Sequence, residues 1–425
     1  MNEALINELY KADKLNYVTD LTALDVKRQL ANLKQLTFEV TNICNLNCRY
    51  CGYGDFYSTY EKRDNQNMKF SVAQHVIDYL WELWATFPFH SQKHELVVGF
   101  YGGEPLINIL TIRRIVDYIE SKPEIPNLVL KYNMTTNAVL LDKNMDYLVE
   151  KDFKLLISLD GDKYAHSYRV HFTGTNSYDK VIHNVELLQN TYPDYFNKSV
   201  SFNSVLHDRN NVRGIRSFTK EKFDKIGLIS ELNQFGICQN KEKEFNKMFH
   251  PLNADIFITD DDYLEILPNK MDLFRFVGVI SKNYFPTYNS LLKRKPNNIF
   301  PTGTCLPFGK KMFITVHGKI LPCERIDQKH HFGIVTDEGV ALNLSEVARK
   351  YAEYYRKVLT LCKKCYKKSL CSQCLFYMKN LSEHVECPSF MHKHEFIEYI
   401  KFNLNILQKY PELYQKVQKE MLFEL

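Results

Sequence analysis

Between residues 35 and about 235, apolar strand-like runs alternate with segments of helical periodicity, and this alternation constrains the fold more than any other feature of the chain. Strands each followed by a helix pair in parallel through right-handed crossovers. Six strands are expected, at 35–41, 96–102, 128–136, 154–160, 199–206 and 225–232, with amphipathic crossover helices at 71–85, 107–121, 143–151 and 178–191. The expected fold class is α/β, a partial (β/α)6 TIM-like barrel. Such barrels place their chemistry at the carboxyl ends of the strands, so the residues after each strand are the ones to search.

The first strand runs into Thr41-Asn42-Ile43-Cys44-Asn45-Leu46-Asn47-Cys48-Arg49-Tyr50-Cys51. Three thiolates on one short loop can hold three irons of a cubane iron-sulfur cluster, whereas a closed four-iron cluster takes four ligands. The fourth iron is then open to a small chelating molecule. Buried structural thiols or a zinc loop are the alternatives, although zinc loops usually pair cysteines as CxxC. The spacing of Cys44, Cys48 and Cys51 resembles that of the radical S-adenosylmethionine (SAM) family. The resemblance implies that the amine and carboxylate of SAM occupy the open iron.

The 425 residues are 45% hydrophobic and 25% charged, ordinary values for a soluble protein with a packed core. A net charge of +5, with both signs interspersed, is too weak a bias to argue for nucleic acid. Lys363-Lys364 and Lys367-Lys368 read as a charged face. The first thirty residues carry Glu3, Glu8, Asp13 and Asp20 and lack the apolar core of a signal peptide, and no run of eighteen apolar residues offers a membrane span. A cytoplasmic protein is expected, with no nucleic acid and no membrane among its partners. In a reducing compartment eleven cysteines serve as metal ligands or catalytic groups rather than in disulfides; three stand near the start and seven follow position 300.

Composition divides the chain into an N-terminal helical extension at 1–34, the partial barrel at 35–300, a small cysteine-rich domain at 301–391 and a helical tail at 392–425. Within these, a further helix is expected over about 260–282 and a linker over 295–301. Short β-prone pieces stand at 311–316 and 319–321.

The strand ends suit a small polar cofactor. After the second strand comes Gly102-Gly103-Glu104-Pro105, whose bare backbone can approach a ligand and bond the SAM amine, or simply form a tight turn. After the third, Thr135-Thr136-Asn137 offers hydroxyl and amide groups for a ribose, while Asn137 reads equally as a cap. The fourth ends Ile157-Ser158-Leu159-Asp160-Gly161, with Arg169 beyond it; a guanidinium presents paired donors to a carboxylate, that of SAM or that of a surface salt bridge. The fifth ends Asn203-Ser204-Val205-Leu206, where apolar walls can sandwich adenine against Tyr50, or pack as core. This order of cluster loop and strand ends is similar to that of the radical SAM family over residues 35 to about 235. It implies that Tyr50, Gly102, Gly103, Glu104, Asn137, Ser158, Asp160, Arg169 and Leu206 surround SAM. In that family an electron from the cluster cleaves SAM to methionine and a 5'-deoxyadenosyl radical, which removes hydrogen from an unactivated carbon; the protein supplies position and excludes water.

A second array comprises Cys305, Gly318, Cys323, Cys362-x2-Cys365-x5-Cys371-x2-Cys374 and Cys387. It resembles the SPASM domain, the C-terminal module of radical SAM enzymes that modify peptides and proteins, except that Ser372-Gln373 stand where three residues are usual. The resemblance implies two auxiliary four-iron clusters, one on Cys305, Cys323 and Cys374 and one on Cys362, Cys365, Cys371 and Cys387. With the triad, the cofactors are then three [4Fe-4S] clusters and SAM. The first auxiliary cluster is one ligand short, and Cys238 reads as that ligand, as a substrate-facing thiol, or as an ordinary buried residue. Taken by itself, the array can also bind structural zinc.

Glu324 stands where anaerobic sulfatase-maturating enzymes carry an aspartate base, and it can act as a general base or pair with Arg325 or a lysine. The expected function is modification of a ribosomally synthesised precursor peptide, by hydrogen abstraction followed by thioether or carbon-carbon cross-linking. The alternatives are formylglycine maturation of a sulfatase, peptide dehydrogenation or epimerisation, and, outside catalysis, a zinc-stabilised binding protein. The expected partners are the precursor peptide, an electron donor such as flavodoxin or ferredoxin, and a leader-binding site in the barrel, in the SPASM module or on a separate protein.

Overall fold

The computed structural model describes residues 16–87, 93–252, 298–381 and 385–415, together with residues 273, 276 and 277. The helix expected over 260–282 lies outside the described residues apart from those three, which are helical, and residues 295–297 of the expected linker and the ends of both terminal segments lie outside as well. The chain divides into two compact units, one drawn from Ala23–Phe257 and Leu306–Val347, the other from Met1–Thr22, Ile258–Cys305 and Ala348–Leu425.

The first unit is built on one sheet of ten strands. Six are those expected: β1 (Gln35–Thr41), β2 (His94–Gly102), β3 (Leu128–Thr136), β4 (Lys154–Ser158), β5 (Val200–Leu206) and β6 (Leu228–Glu231). They lie side by side in chain order and all pair in parallel. Beyond β1 the sheet continues with β7 (Lys311–Ile314), parallel to β1, and then antiparallel through β8 (Lys319–Leu321), β9 (Gly333–Thr336) and β10 (Gly339–Ala341). β6 and β10 are the two edges, so the barrel is open. Placing β7 against β1 makes β1 a central strand, and six of its seven residues are buried, as expected where both faces of a parallel sheet are covered.

The crossovers obey the apolar period of the sequence. α1 (Ala23–Ala31) leads into β1, and α2 (Phe70–Thr86) buries Ala73, Val76, Ile77, Leu80, Trp81 and Trp84. α3 (Ile109–Glu120) buries Ile112, Ile115, Val116 and Ile119, and α4 (Met145–Glu150) is a single short turn pair. α5 (Tyr178–Thr191) buries Val181, Ile182, Val185 and Leu188, and with them Asn184, whose Nδ2 donates to the carbonyls of Ala138 and Val139 at 2.8 and 3.0 Å. That bond clamps the turn after β3, where Asn137 stands. α6 (Pro193–Ser199), α7 (Val212–Phe223) and α8 (Glu242–Met248) complete the series.

In the second unit, Asn16–Tyr17 pairs in parallel with Asn298–Ile299. Its long helices are α9 (Leu344–Lys364), which belongs to it from Ala348 onward, and α10 (Lys393–Lys409). α10 starts from a capping box in which the His392 amide donates to Glu395 Oε2 at 2.7 Å. Tyr355 on α9 stacks on Phe300 at 5.0 Å and meets Tyr351 edge-on at 6.1 Å. No helix among the described residues is long and apolar enough to cross a membrane.

Candidate functional site

At the carboxyl ends of the parallel strands a cavity of about 160 Å³ opens, and Cys44, Cys48 and Cys51 all line it. Tyr50, Gly102, Gly103, Glu104, Asn137, Ser158 and Arg169 share its wall. The loop that carries the thiols leaves β1 at a register irregularity between Glu39 and Thr41, the kind of bulge that re-aims a strand end. It is sewn to three neighbouring strand ends. The amides of Gly103 and Glu104 donate to the carbonyls of Thr41 and Ile43, both at 2.9 Å. Asn137 Nδ2 donates to Asn45 Oδ1 at 2.8 Å. The amides of Asn47 and Arg49 donate to the carbonyls of Val170 and Tyr168 at 2.7 and 3.0 Å.

The glycine pair owes its place to this closeness. Gly102 has φ +135°, and a Cβ at Gly102 or Gly103 would run into the carbonyl of Thr41 or Ile43. The close approach is therefore to the cysteine loop's own backbone. Glu104, 1% exposed, accepts from the Leu106 and Asn137 amides at 3.1 and 2.7 Å and from Thr136 Oγ1 at 2.7 Å. Burial raises its pKa to about 7, against the lowering effect of those bonds. It joins the ends of β2 and β3.

Asp160 is fully buried and forms the hub behind the cavity. Arg169 Nε and Nη2 donate to its two oxygens at 2.9 and 3.0 Å, the Val205 amide donates at 2.9 Å, and the Tyr50 hydroxyl donates to Oδ2. Burial alone would raise the Asp160 pKa, but the Arg169 charge and the hydrogen bonds outweigh it and hold the carboxyl well below its usual range. Arg169 therefore faces the cavity with one edge committed to Asp160. Leu206 is fully buried and does not line the cavity; β5 supports the site through the Val205 amide.

Several cavity residues were not singled out in the sequence. Tyr53, Tyr60, Arg63 and Tyr101 complete the wall. The Tyr53 hydroxyl donates to Glu39 Oε1 at 2.5 Å, and the Val316 amide donates to Glu39 Oε2 at 2.9 Å. Arg63 Nη2 lies 3.1 Å from Cys51 Sγ. Tyr53, Tyr60 and Arg63 follow the cysteines in a stretch without apolar period, where no spacing marks them, and Tyr101 ends the apolar run of β2 just before the glycine pair. Burial pushes the Cys44 and Cys48 thiols up to about 11 and 12, so holding them as thiolates requires added positive charge.

In the same unit the Tyr60 hydroxyl donates to the Glu324 carbonyl at 3.3 Å, one residue beyond the cavity wall. Burial would raise the Glu324 pKa, but Lys311 Nζ at 2.8 Å from Oε2 outweighs it and the carboxyl stays below its ordinary value. Arg325 Nε is 3.9 Å away. Cys323 is pushed up to about 12, first by burial and then by the Glu324 charge. Cys238 is half-buried, its amide donating to the Phe56 carbonyl at 2.8 Å.

Within the second unit Cys362, Cys365, Cys371 and Cys387 line a single cavity together with Lys367 and Lys368. Burial and then the charges of the other three thiols raise Cys362 to about 12. Cys305 and Cys374 both act on the buried Tyr355, and the Leu375 amide donates to Thr304 Oγ1 at 2.7 Å. No three His, Cys, Asp or Glu side chains among the described residues stand as a group that could hold a single metal ion.

Residues 38–218 match the family model of the Radical SAM superfamily. The chain is 25% identical over 308 residues or more to curated relatives. One is the radical SAM cyclopropyl synthase of Paramaledivibacter caminithermalis, 25% identical over 321 residues, 72% of this chain and 61% of that protein. Another is the cysteine-type anaerobic sulfatase-maturating enzyme of Clostridium perfringens, 25% identical over 344 residues, 77% of this chain and 84% of that one. The fold matches the solved structure of native anSMEcpe with bound AdoMet, at a TM-score of 0.54 and 19% identity over 91% of this chain and 99% of that one. The family implies a four-iron cluster and SAM.

Proposed function

We propose that this chain, a radical SAM enzyme by its domain and its relatives, modifies a ribosomally synthesised peptide by hydrogen abstraction followed by thioether or carbon-carbon cross-linking. The observation that carries the reading is the convergence of Cys44, Cys48 and Cys51 on one cavity shared with Gly103, Asn137 and Ser158. Three half-buried thiols beside backbone and side-chain donors are a donor set that fits an iron-sulfur cluster open at one iron. When bound, the cluster and SAM supply the electron and the 5'-deoxyadenosyl radical that abstracts hydrogen.

The chain's own residues hold and shield that site. Cys44, Cys48 and Cys51 would ligate the cluster. Asn137 and Ser158 offer polar contacts to SAM, while Tyr50, fixed by Asp160 and Arg169, closes one wall. Glu324, ionised beside Lys311 just past Tyr60, is the proposed acceptor for a substrate proton. Cys362, Cys365, Cys371 and Cys387 would hold one auxiliary cluster; Cys305, Cys323 and Cys374 would hold the other. The relatives' names, a cyclopropyl synthase and a sulfatase-maturating enzyme, support a peptide or protein substrate. Oxygen-sensitive clusters and an electron donor such as flavodoxin fit a cytoplasmic setting.

Anaerobic reconstitution tests the reading. About twelve irons per chain are expected for three four-iron clusters, with release of 5'-deoxyadenosine once SAM and a reductant are supplied. Cys44→Ala, Cys48→Ala and Cys51→Ala should each abolish that release. Cleavage retained in any of the three, or zinc bound without iron, would sink the proposal.

A further inference from the structure

Arg63 is a charged side chain in the cavity wall, and among the described residues no carboxylate pairs with it. Among the described residues its one hydrogen bond runs from Nη2 to Cys51 Sγ, at 3.1 Å. Its Nε is buried with no hydrogen-bond partner. The guanidinium lies over the Tyr53 ring at 5.3 Å, and the groups that act on its charge are Cys51, Cys44, Tyr53 and Cys48. Arg169, across the same cavity, shows what such an edge does when satisfied: its Nε and Nη2 share one carboxylate. In Arg63 the same edge holds one thiol and keeps one donor spare.

A cation with directed donors at a ligand sulfur stabilises whichever state of a cluster carries more negative charge. Reduction adds one electron to the cluster and its thiolates, so the reduced state gains more. Hydrogen bonds to the sulfurs are among the terms that set cluster potentials. Half-burial of the guanidinium strengthens the effect, because the pair is only partly screened by solvent.

We infer that Arg63 donates an N–H···S hydrogen bond to the Cys51 thiolate and thereby raises the reduction potential of the cluster on the triad, easing its one-electron reduction by the donor protein. Arg63 is in this sense a positioning residue, acting through Cys51. The inference rests on the reading that Cys44, Cys48 and Cys51 hold a four-iron cluster.

The test is a redox titration of the reconstituted full chain, following by electron paramagnetic resonance the reduced-cluster signal that changes when SAM is added. Arg63→Gln is expected to be about tenfold harder to reduce, a shift of about 59 mV to lower potential for a one-electron couple, with its iron content unchanged. Arg63→Lys keeps the charge but loses the planar fork, and its midpoint should fall between the two. Midpoints equal to the parent's in both variants overturn the inference; should Arg63→Gln take up no iron, the Arg63→Lys midpoint decides alone. A parent protein with iron but no SAM-responsive signal would overturn the triad reading itself.

Discussion

Arg169 grips Asp160 through two parallel bonds, Nε to Oδ2 at 2.9 Å and Nη2 to Oδ1 at 3.0 Å, and both side chains are buried. The pair sits behind the cysteine loop, which it supports in two ways. Asp160 accepts the Tyr50 hydroxyl from the loop, and the segment around Arg169 supplies the carbonyls of Tyr168 and Val170 to the Arg49 and Asn47 amides. An arginine expected from sequence to meet a cofactor carboxylate is thus bound first to a carboxylate of the protein.

Asp160→Asn should cost about 3–5 kcal/mol at neutral pH, because it leaves the Arg169 charge buried without its partner. Asp160 is held below the usual carboxylate range, so its contribution is complete above the ordinary aspartate value of about 3.9 and is lost as pH falls through its lower folded value. Urea unfolding of parent and variant should therefore differ by a constant amount from pH 7 down to about 4, and the gap should narrow only below that. A gap that closes already by pH 6 would contradict the pairing.

Gly103→Ala should damage the thiol loop more than the fold. The added methyl meets the Ile43 carbonyl one residue before Cys44, and overpacking of this kind costs about 1–3 kcal/mol. Iron held by the reconstituted variant should drop by about the four irons of one cluster, while far-ultraviolet circular dichroism stays that of the parent. Full iron content would show that the loop yields without cost.

The six parallel strands were legible in the sequence because each is a short apolar run between helical periods, and the strand ends were legible because Gly102-Gly103 and Ser158-Leu159-Asp160 stand at fixed places on them. Partnership between distant side chains was not. Nothing local says that Asp160 would take Arg169 and Tyr50, or that Leu206 would face the core, since both outcomes depend on how β4 and β5 lie together. Pairing of β7 with β1 joins residues some 275 apart and leaves no periodic trace. The helix α9 carries a local signal, Val347, Tyr351, Tyr355, Val358 and Cys362 at three- and four-residue steps. Arg63 had none, lying in a loop without period.

Glu104 predicts a pH dependence of the opposite sign to that of Asp160. Its folded pKa is about 7, above the ordinary glutamate value of 4.5, so between those values the folded state keeps a proton that the unfolded chain has lost. Stability of the cluster-free protein should fall as pH rises through that window, by about 1.4 kcal/mol per unit and on the order of 3 kcal/mol in all. Glu104→Gln removes the titration but turns an amide NH2 toward donors, costing about 1–3 kcal/mol. Unfolding curves should place the variant below the parent at pH 5 and bring the two together by pH 8. A parent whose stability rises over that range would show that Glu104 is ionised in the fold.

The four thiols on the second unit's cavity make the remaining prediction. Cys362, Cys365, Cys371 and Cys387 face one space, where burial and then the charges of neighbouring thiols raise the pKa of Cys362 and Cys387, which is costly unless a bound cation gathers them. Cys365→Ala should therefore remove about four irons, one cluster's complement, and lower the thermal midpoint of the reconstituted protein. Release of 5'-deoxyadenosine should survive, because the cavity of Cys44, Cys48 and Cys51 draws no residue from this set. Iron analysis and quantified 5'-deoxyadenosine on the same sample separate the two effects. Equal iron in parent and variant would mean that these thiols hold no cluster, and the second unit would then need another source of stability for two buried and two half-buried sulfurs.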